Sequence, residues 1–318
     1  MLSSLLSLLL GLAGLYFGAE WLVRGASRLA LALRVRPLFI GLTIVAFGTS
    51  MPEMVVCVVA AAQGKTDVAL GNVLGSNVAN VGLILALSAV LSPVHVASRL
   101  AQRELPFMLG VTLAFYALAW RMSFGRLEGL LLLATLVVFT RLSLHWALGE
   151  PPPVAAQFES SPQQRLHPRF RYVRELTLVT IGLAVLVGGG HLLVRAAADL
   201  ARYAGISELV IAATLVAVGS SLPELATSIV AALRHEAGLL VGNLVGSNLF
   251  NILGALGVSA LIRPVKVDAS LLSFEFVALL FFSAAMALFL RSGHRMSRSE
   301  GAVLLVLYVG FVLKLFLL

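Results

Sequence analysis

One polar stretch, set inside apolar sequence and present twice, constrains this chain more than any other feature. The first copy opens with Gly48-Thr49-Ser50-Met51-Pro52-Glu53 and closes with Gly71-Asn72-Val73-Leu74-Gly75-Ser76-Asn77-Val78-Ala79-Asn80. It returns as Gly219-Ser220-Ser221-Leu222-Pro223-Glu224 and Gly242-Asn243-Leu244-Val245-Gly246-Ser247-Asn248-Leu249-Phe250-Asn251. Matching positions lie 171 residues apart, and between 39–94 and 210–265 the copies align without a gap, with 22 of 56 positions identical. Most of the shared polar residues are ones a lipid-facing helix avoids. The fold must therefore hold two copies of one polar element in an apolar setting.

That setting is a membrane. Of 318 residues, 59% are hydrophobic and only 12% charged, with a mean hydropathy of +0.99. Long apolar segments separated by short charged loops indicate an all-α polytopic protein of the cell membrane, inner or plasma, because helices satisfy their own backbone hydrogen bonds in lipid. The net charge of +8 reads as Lys and Arg acting as topology signals, so the lipid bilayer, and not nucleic acid, is the expected partner. A single cysteine, Cys57, lies in an apolar run, which excludes an intrachain disulfide and thiolate zinc sites. Residues 2–23 lack a basic leading region and are long enough to form a first span, not a cleaved signal.

Ten transmembrane spans are predicted: 2–23, 37–62, 68–91, 104–120, 127–148, 174–194, 206–233, 238–262, 272–290 and 301–317. The stretch 149–173 contains Pro151, Pro152 and Pro153 and reads as a connecting loop. Its acids are Glu150 and Glu159, too few for a folded calcium-sensing domain. The chain thus divides into a first five-span half (1–148), a loop (149–173) and a second five-span half (174–318). Lys and Arg divide 15 to 8 between the two sides, which predicts both termini outside and the central loop in the cytoplasm. An odd number of spans per half forces the second copy to enter upside down, giving two inverted repeats with a substrate site between them at the midplane. Leu22-Val23-Arg24 recurs as Leu193-Val194-Arg195 at the same offset.

The polar residues define a chemistry. Pro52 lacks an N–H and its ring clashes with the carbonyl of Gly48, so the second span should break or kink and free carbonyls near Ala46 and Phe47. Thr49, Ser50 and Glu53 share a face. Asn72, Ser76 and Asn80 recur every four residues as a polar stripe, beside Gly71 and Gly75, which let a neighbouring helix approach. The second copy repeats the set with Ser220, Ser221, Glu224, Asn243, Ser247 and Asn251. Gly, Ser and Pro in membrane helices otherwise serve packing and kinking, but here the whole set recurs at one offset. Carboxylate, hydroxyl, amide and carbonyl oxygens without Cys or clustered His are what hard cations prefer. Two glutamates at membrane depth, with no Lys or Arg near them in sequence, call for a bound cation as compensating charge. The histidines fall at span ends or in loops, with His191 near the end of a span. No Cys–His or Ser–His pairing, metal-type His–Glu motif or phosphate-binding loop is present, so an enzyme is not expected.

The duplicated Gly-Thr/Ser-Ser-hydrophobic-Pro-Glu and Gly-Asn-x-x-Gly-Ser-Asn-x-x-Asn motifs resemble the alpha repeats of the sodium/calcium exchanger superfamily, the calcium/cation antiporters. The likeness covers the ten-span plan, and the short central loop is similar to prokaryotic members. The resemblance implies Ca²⁺ moving against Na⁺ by alternating access, with these ions as cargo and no cofactor. It implies Glu53 and Glu224 as the main calcium carboxylates. It also implies sodium positions built from Thr49, Ser50, Ser76, Ser220, Ser221 and Ser247 with the carbonyls of Ala46 and Ala217, and a central site closed by Asn80 and Asn251. Many members carry an acid at one of the positions matching Asn80 and Asn251; here both are Asn. The site then holds at most two negative charges, which one Ca²⁺ or two Na⁺ neutralise and a third Na⁺ would exceed. A Ca²⁺(cation)/H⁺ antiporter on the same scaffold is the nearest alternative, and a cation channel a more distant one.

Overall fold

The computed structural model describes residues 2–96, 102–148, 168–205 and 219–315, and within them the chain is helical almost throughout. In order, the helices are α1 (Leu2–Leu33), α2 (Pro37–Thr49), α3 (Met51–Ala62), α4 (Thr66–Leu91), α5 (Glu104–Ala119) and α6 (Arg126–Leu148). After them come α7 (Pro168–Tyr203), α8 (Leu222–Leu233), α9 (Ala237–Ile262), a short turn Ala269–Ser273, α10 (Glu275–Arg291) and α11 (Arg298–Leu315). Among the described residues six helical stretches are long and apolar enough to cross a membrane, or seven when the bent pair α2 and α3 is taken as one. The all-α membrane class expected from hydropathy is what the chain adopts. Exposed Leu9, Leu127 and Val306 fit a surface that meets lipid.

Two helices outrun the spans expected of them. The expected 2–23 and 174–194 are helical over Leu2–Leu33 and Pro168–Tyr203. Arg24 and Arg28 end the apolar run but not the helix, because Arg is a good helix former. At 32 residues, α1 is about 48 Å long, against roughly 30 Å of hydrocarbon. The start of α7 also claims residues 168–173 from the expected connecting loop, whose remaining residues, 149–167, lie outside the described ones. Of the expected seventh span, residues 206–218 likewise lie outside the described residues.

The duplication extends well past the aligned motif. Left-handed residues close helices at Arg34 and Gly205, at Gly64 and His235, and at Met122 and Gly293, each pair separated by 171 residues. At the second pair the same cap forms twice: Lys65 donates to Ala60 at 2.9 Å, and Glu236 donates to Ala231 at 2.8 Å.

Four two-residue strands among the described residues, not expected from sequence, tie the copies together. β1 (Val94–His95) pairs antiparallel with β4 (Arg295–Met296), and β2 (Ser123–Phe124) pairs with β3 (Val265–Lys266). Each strand from one half thus finds its partner in the other.

Packing follows the same plan. α4 and α9 form the centre, with 78% of their apolar windows buried against 28–39% for the other long spans. α1 and its counterpart α7 lie antiparallel and in close contact. A Cβ on Gly18 would stand 2.5 Å from the Leu186 nitrogen, and one on Gly182 would stand 2.6 Å from the Leu22 nitrogen. Only glycine allows backbones to approach so nearly. Counterpart helices that run antiparallel are what an inverted repeat requires.

Candidate cation site between the repeats

Each copy presents its glutamate on a fresh helix start. α2 stops at Thr49, α3 begins at Met51, and the axis bends by 46° between them. Ser50 sits at the break with φ −83° and ψ 4°, and Ser221 repeats it with φ −90° and ψ 5°. Pro52 and Pro223 occupy the first turns of α3 and α8, where a missing N–H breaks no intrahelical bond. Glu53 and Glu224 fall in those same first turns, where the helix macrodipole favours negative charge. The break expected from Pro52 is therefore present, but one detail differs. The Ala46 carbonyl is not freed: it accepts the Ser50 N–H at 3.0 Å and the Thr49 hydroxyl at 3.4 Å. The carbonyl that Pro52 deprives of a donor is that of Gly48.

The two breaks meet, and the hydroxyls cross over. Ser50 donates to Glu224 Oε1 at 2.9 Å, and Ser221 donates to Glu53 Oε1 at 3.0 Å. All four residues are buried. The second oxygen of each carboxylate, Oε2, has no protein partner. Each glutamate is thus held beside the helix start that carries the other. Unpaired buried carboxylate oxygens are costly unless something positive meets them. Thr49 donates across the interface to Asn243 Oδ1 at 3.2 Å. Ser76 and Ser247 are both buried, and the Ser247 hydroxyl has no partner. Ala217, the other expected carbonyl donor, lies outside the described residues.

Below the serines lies a layer of four asparagines, two of which sequence reading did not single out. Asn80 donates to Asn248 Oδ1 at 2.9 Å and Asn251 donates to Asn77 Oδ1 at 3.2 Å. Asn77 donates to the Asn248 carbonyl at 3.3 Å, and Asn248 reaches the Met108 sulfur at 3.8 Å. With their NH₂ groups held this way, Asn80 and Asn251 each keep an Oδ1 without a partner. These oxygens are free acceptors, as a cation requires. Asn77 and Asn248 are positioning residues, and their place in both Gly-Ser-Asn triplets was the available signal. π-helical turns begin at Asn80 and at Phe250, a local widening common at functional sites and unmarked by any proline.

The pseudo-symmetry is incomplete. Asn72, the counterpart of Asn243, donates to the Glu53 carbonyl and to Cys57 Sγ, both at 3.3 Å. Ser220, the counterpart of Thr49, is only half-buried. It lines a cavity of about 290 Å³ together with Pro52, Val56, Val187, His191 and Val194. This cavity lies between α3 and α7, beside the site. Among the described residues no cluster of three or more His, Cys, Asp or Glu forms a metal cage; the donors are two carboxylates amid neutral oxygens.

Comparison with known proteins gives a consistent result. The family model described as sodium/calcium exchanger protein matches residues 3–144 and again residues 175–317. CaxA of Alkalimonas amylolytica is 39% identical over 99% of both chains. The sodium/calcium exchanger MaX1 of Methanosarcina acetivorans is 31% identical over 98% of both. Among solved structures, the sodium-calcium exchanger NCX_Mj is similar with a TM-score of 0.86 and 30% identity, covering 98% of each chain.

Proposed function

The chain belongs to the sodium/calcium exchanger family, and from that membership we propose that it exchanges Ca²⁺ for Na⁺ by alternating access at the site between its repeats. That it is a multi-pass membrane protein and a cation antiporter follows from family and fold. The specific ions are our reading. One observation carries it: Glu53 and Glu224 are buried together, each with one oxygen held by a serine of the opposite copy and the other oxygen unpaired. A hard cation supplies the missing charge, and oxygen donors in flexible number suit Ca²⁺.

In this reading Ca²⁺ sits against the Oε2 atoms of Glu53 and Glu224, with Asn80 and Asn251 offering Oδ1. Na⁺ uses the hydroxyls of Thr49, Ser50, Ser76, Ser220, Ser221 and Ser247 and the carbonyls of Ala217 and, once the Thr49 hydroxyl turns from it, Ala46. When Ca²⁺ leaves, two carboxylates remain close together without compensation, so two Na⁺ are the natural replacement. Ten crossings, with both termini outside and the central loop cytoplasmic, complete the proposal. Strand pairing supports it, because β1 and β4 follow the third and ninth spans while β2 and β3 follow the fourth and eighth. In a ten-span chain each pair then lies on a single side of the membrane.

The test is radioactive calcium uptake into proteoliposomes with Na⁺, K⁺ and H⁺ gradients imposed one at a time. Uptake driven by a Na⁺ gradient at fixed pH is the expected result. Uptake driven by a pH gradient without sodium would instead assign a Ca²⁺(cation)/H⁺ antiporter, with Glu53 or Glu224 carrying the proton.

A further inference from the structure

The 171-residue offset also marks where the two halves differ. On α1, Glu20 accepts from Arg24 at 2.9 Å and from Arg234, whose Nε lies 2.6 Å from Oε2 and whose terminal nitrogen reaches Oε1. Arg234 follows α8, so a two-pronged ion pair fastens the long first helix of one half to the α8–α9 turn of the other. The counterparts of Glu20 and Arg234 are His191 on α7 and Gln63 after α3. No carboxylate–guanidinium pair can form from those side chains, and among the described residues no hydrogen bond joins them.

The two ends of the site are packed differently in the same sense. On the Arg234 side α1 lies against α8, and Val23, Thr49 and Thr227 are buried. At the opposite end Val194 and Ser220, counterparts of Val23 and Thr49, are half-buried, and both line the cavity. Val56 there is 38% exposed, whereas its counterpart Thr227 is 1% exposed. Hydrogen bonding agrees. Thr49–Asn243 is made on the closed side, whereas Ser220–Asn72, its counterpart, is absent and Asn72 rests on Cys57 and the Glu53 backbone.

We propose that the Glu20–Arg234 pair is a one-sided latch that favours the closed state of the Arg234 face of the exchanger and so biases which face its ion site opens to at rest. The inference rests on the alternating-access reading, but not on which ions are exchanged. A bidentate Arg–carboxylate pair is directional and charge-assisted. It is also partly solvated, so its influence is a bias of about two- to fivefold in the population of the two states and not a lock. Salt should weaken it. His191 and Gln63, the counterpart residues on the opposite face, supply no such pair, which leaves the closed state of that face the less populated.

Side-specific labelling tests this without reference to transport. In a Cys57→Ser background, Val56→Cys reports on the open face and Thr227→Cys on the latched one. Reconstituted protein is treated with a membrane-impermeant maleimide from each side in turn. Glu20→Gln or Arg234→Gln should raise the labelling rate of Thr227→Cys about two- to fivefold and slow that of Val56→Cys. Combining Glu20→Arg with Arg234→Glu should bring both rates back. Installing the pair on the other face, by His191→Glu with Gln63→Arg, should slow labelling of Val56→Cys. Rates unmoved by Glu20→Gln and Arg234→Gln, or a charge exchange that restores nothing, would overturn the latch alone. Labelling of both probes from one face would overturn alternating access and the latch with it.

Discussion

Ser221 donates to Glu53 at 3.0 Å, and its counterpart Ser50 donates to Glu224 at 2.9 Å. Neither half contains a complete site. Each carboxylate is oriented by a hydroxyl from the copy that runs the other way, so a relative shift of the two halves changes both carboxylates together. This geometry gives a physical route from helix motion to ion affinity.

Each glutamate supplies half of the charge that compensates a divalent cation. Glu53→Gln and Glu224→Gln should each weaken calcium binding by more than about 1.4 kcal/mol, or tenfold. Ser50→Ala and Ser221→Ala remove one hydrogen bond to a charged group and should produce smaller losses in the same direction. Calcium-dependent thermal stabilisation of the purified variants would measure both effects. Near-normal stabilisation of either Gln variant would remove that glutamate from the site.

The contact between α1 and α7 depends on glycine at Gly18 and Gly182. A Cβ at either position meets backbone at 2.5–2.6 Å, which side-chain rotation cannot relieve. Gly18→Leu or Gly182→Leu should lower stability by about 1–3 kcal/mol or reduce the folded yield, read as a lower unfolding midpoint in detergent. Gly110, where an added Cβ would meet no atom within 4 Å, is the control: Gly110→Ala should leave the midpoint nearly unchanged. Equal midpoints for all three would contradict the close approach.

Much of this arrangement is legible in the sequence. The Pro52 and Pro223 breaks, the facing carboxylates and the Asn72–Ser76–Asn80 stripe all follow from spacing and from proline's missing donor. What escaped reading is tertiary. Asn77 and Asn248 are one residue off the four-residue stripe, and only the crossing of α4 over α9 turns them into partners of Asn251 and Asn80. The extra length of α1 was hidden because hydropathy stops at Arg24 while helix propensity does not. The strand pairs join short segments that are far apart in the chain, and two residues carry no period to detect.

Opposite sidedness of matched loops is the direct consequence of the inverted plan. With Cys57 replaced, a cysteine within Gln63–Asp67 should label from outside, and one within Arg234–Gly238 only from the cytoplasmic face. Gly64 and His235, both left-handed and both exposed, are matched positions for the comparison. Labelling from a single face would refute the five-plus-five topology.

Asn251 is the most informative position for the counter-ion. Its NH₂ donates to Asn77 Oδ1 at 3.2 Å, and its own Oδ1 is unpaired. Asn251→Asp substitutes a carboxyl for that donor. If the new group ionises, its oxygen faces the Asn77 acceptor while two glutamates already hold negative charge nearby. If it stays protonated, its O–H replaces the lost donor and the asparagine layer is kept. Both the hydrogen bond and the neighbouring charges favour the proton, so exchange should acquire a new pH dependence, beyond that of the wild type. The sign follows: at low pH the protonated group behaves like Asn251, and as pH rises it ionises, repels the Asn77 oxygen and adds a third negative charge. Sodium dependence should therefore steepen toward alkaline pH, where a third Na⁺ finds compensation. Exchange rates for wild type and Asn251→Asp, measured from mildly acidic to mildly alkaline pH at several sodium concentrations, check this. Superimposable profiles would place Asn251 outside the ion site.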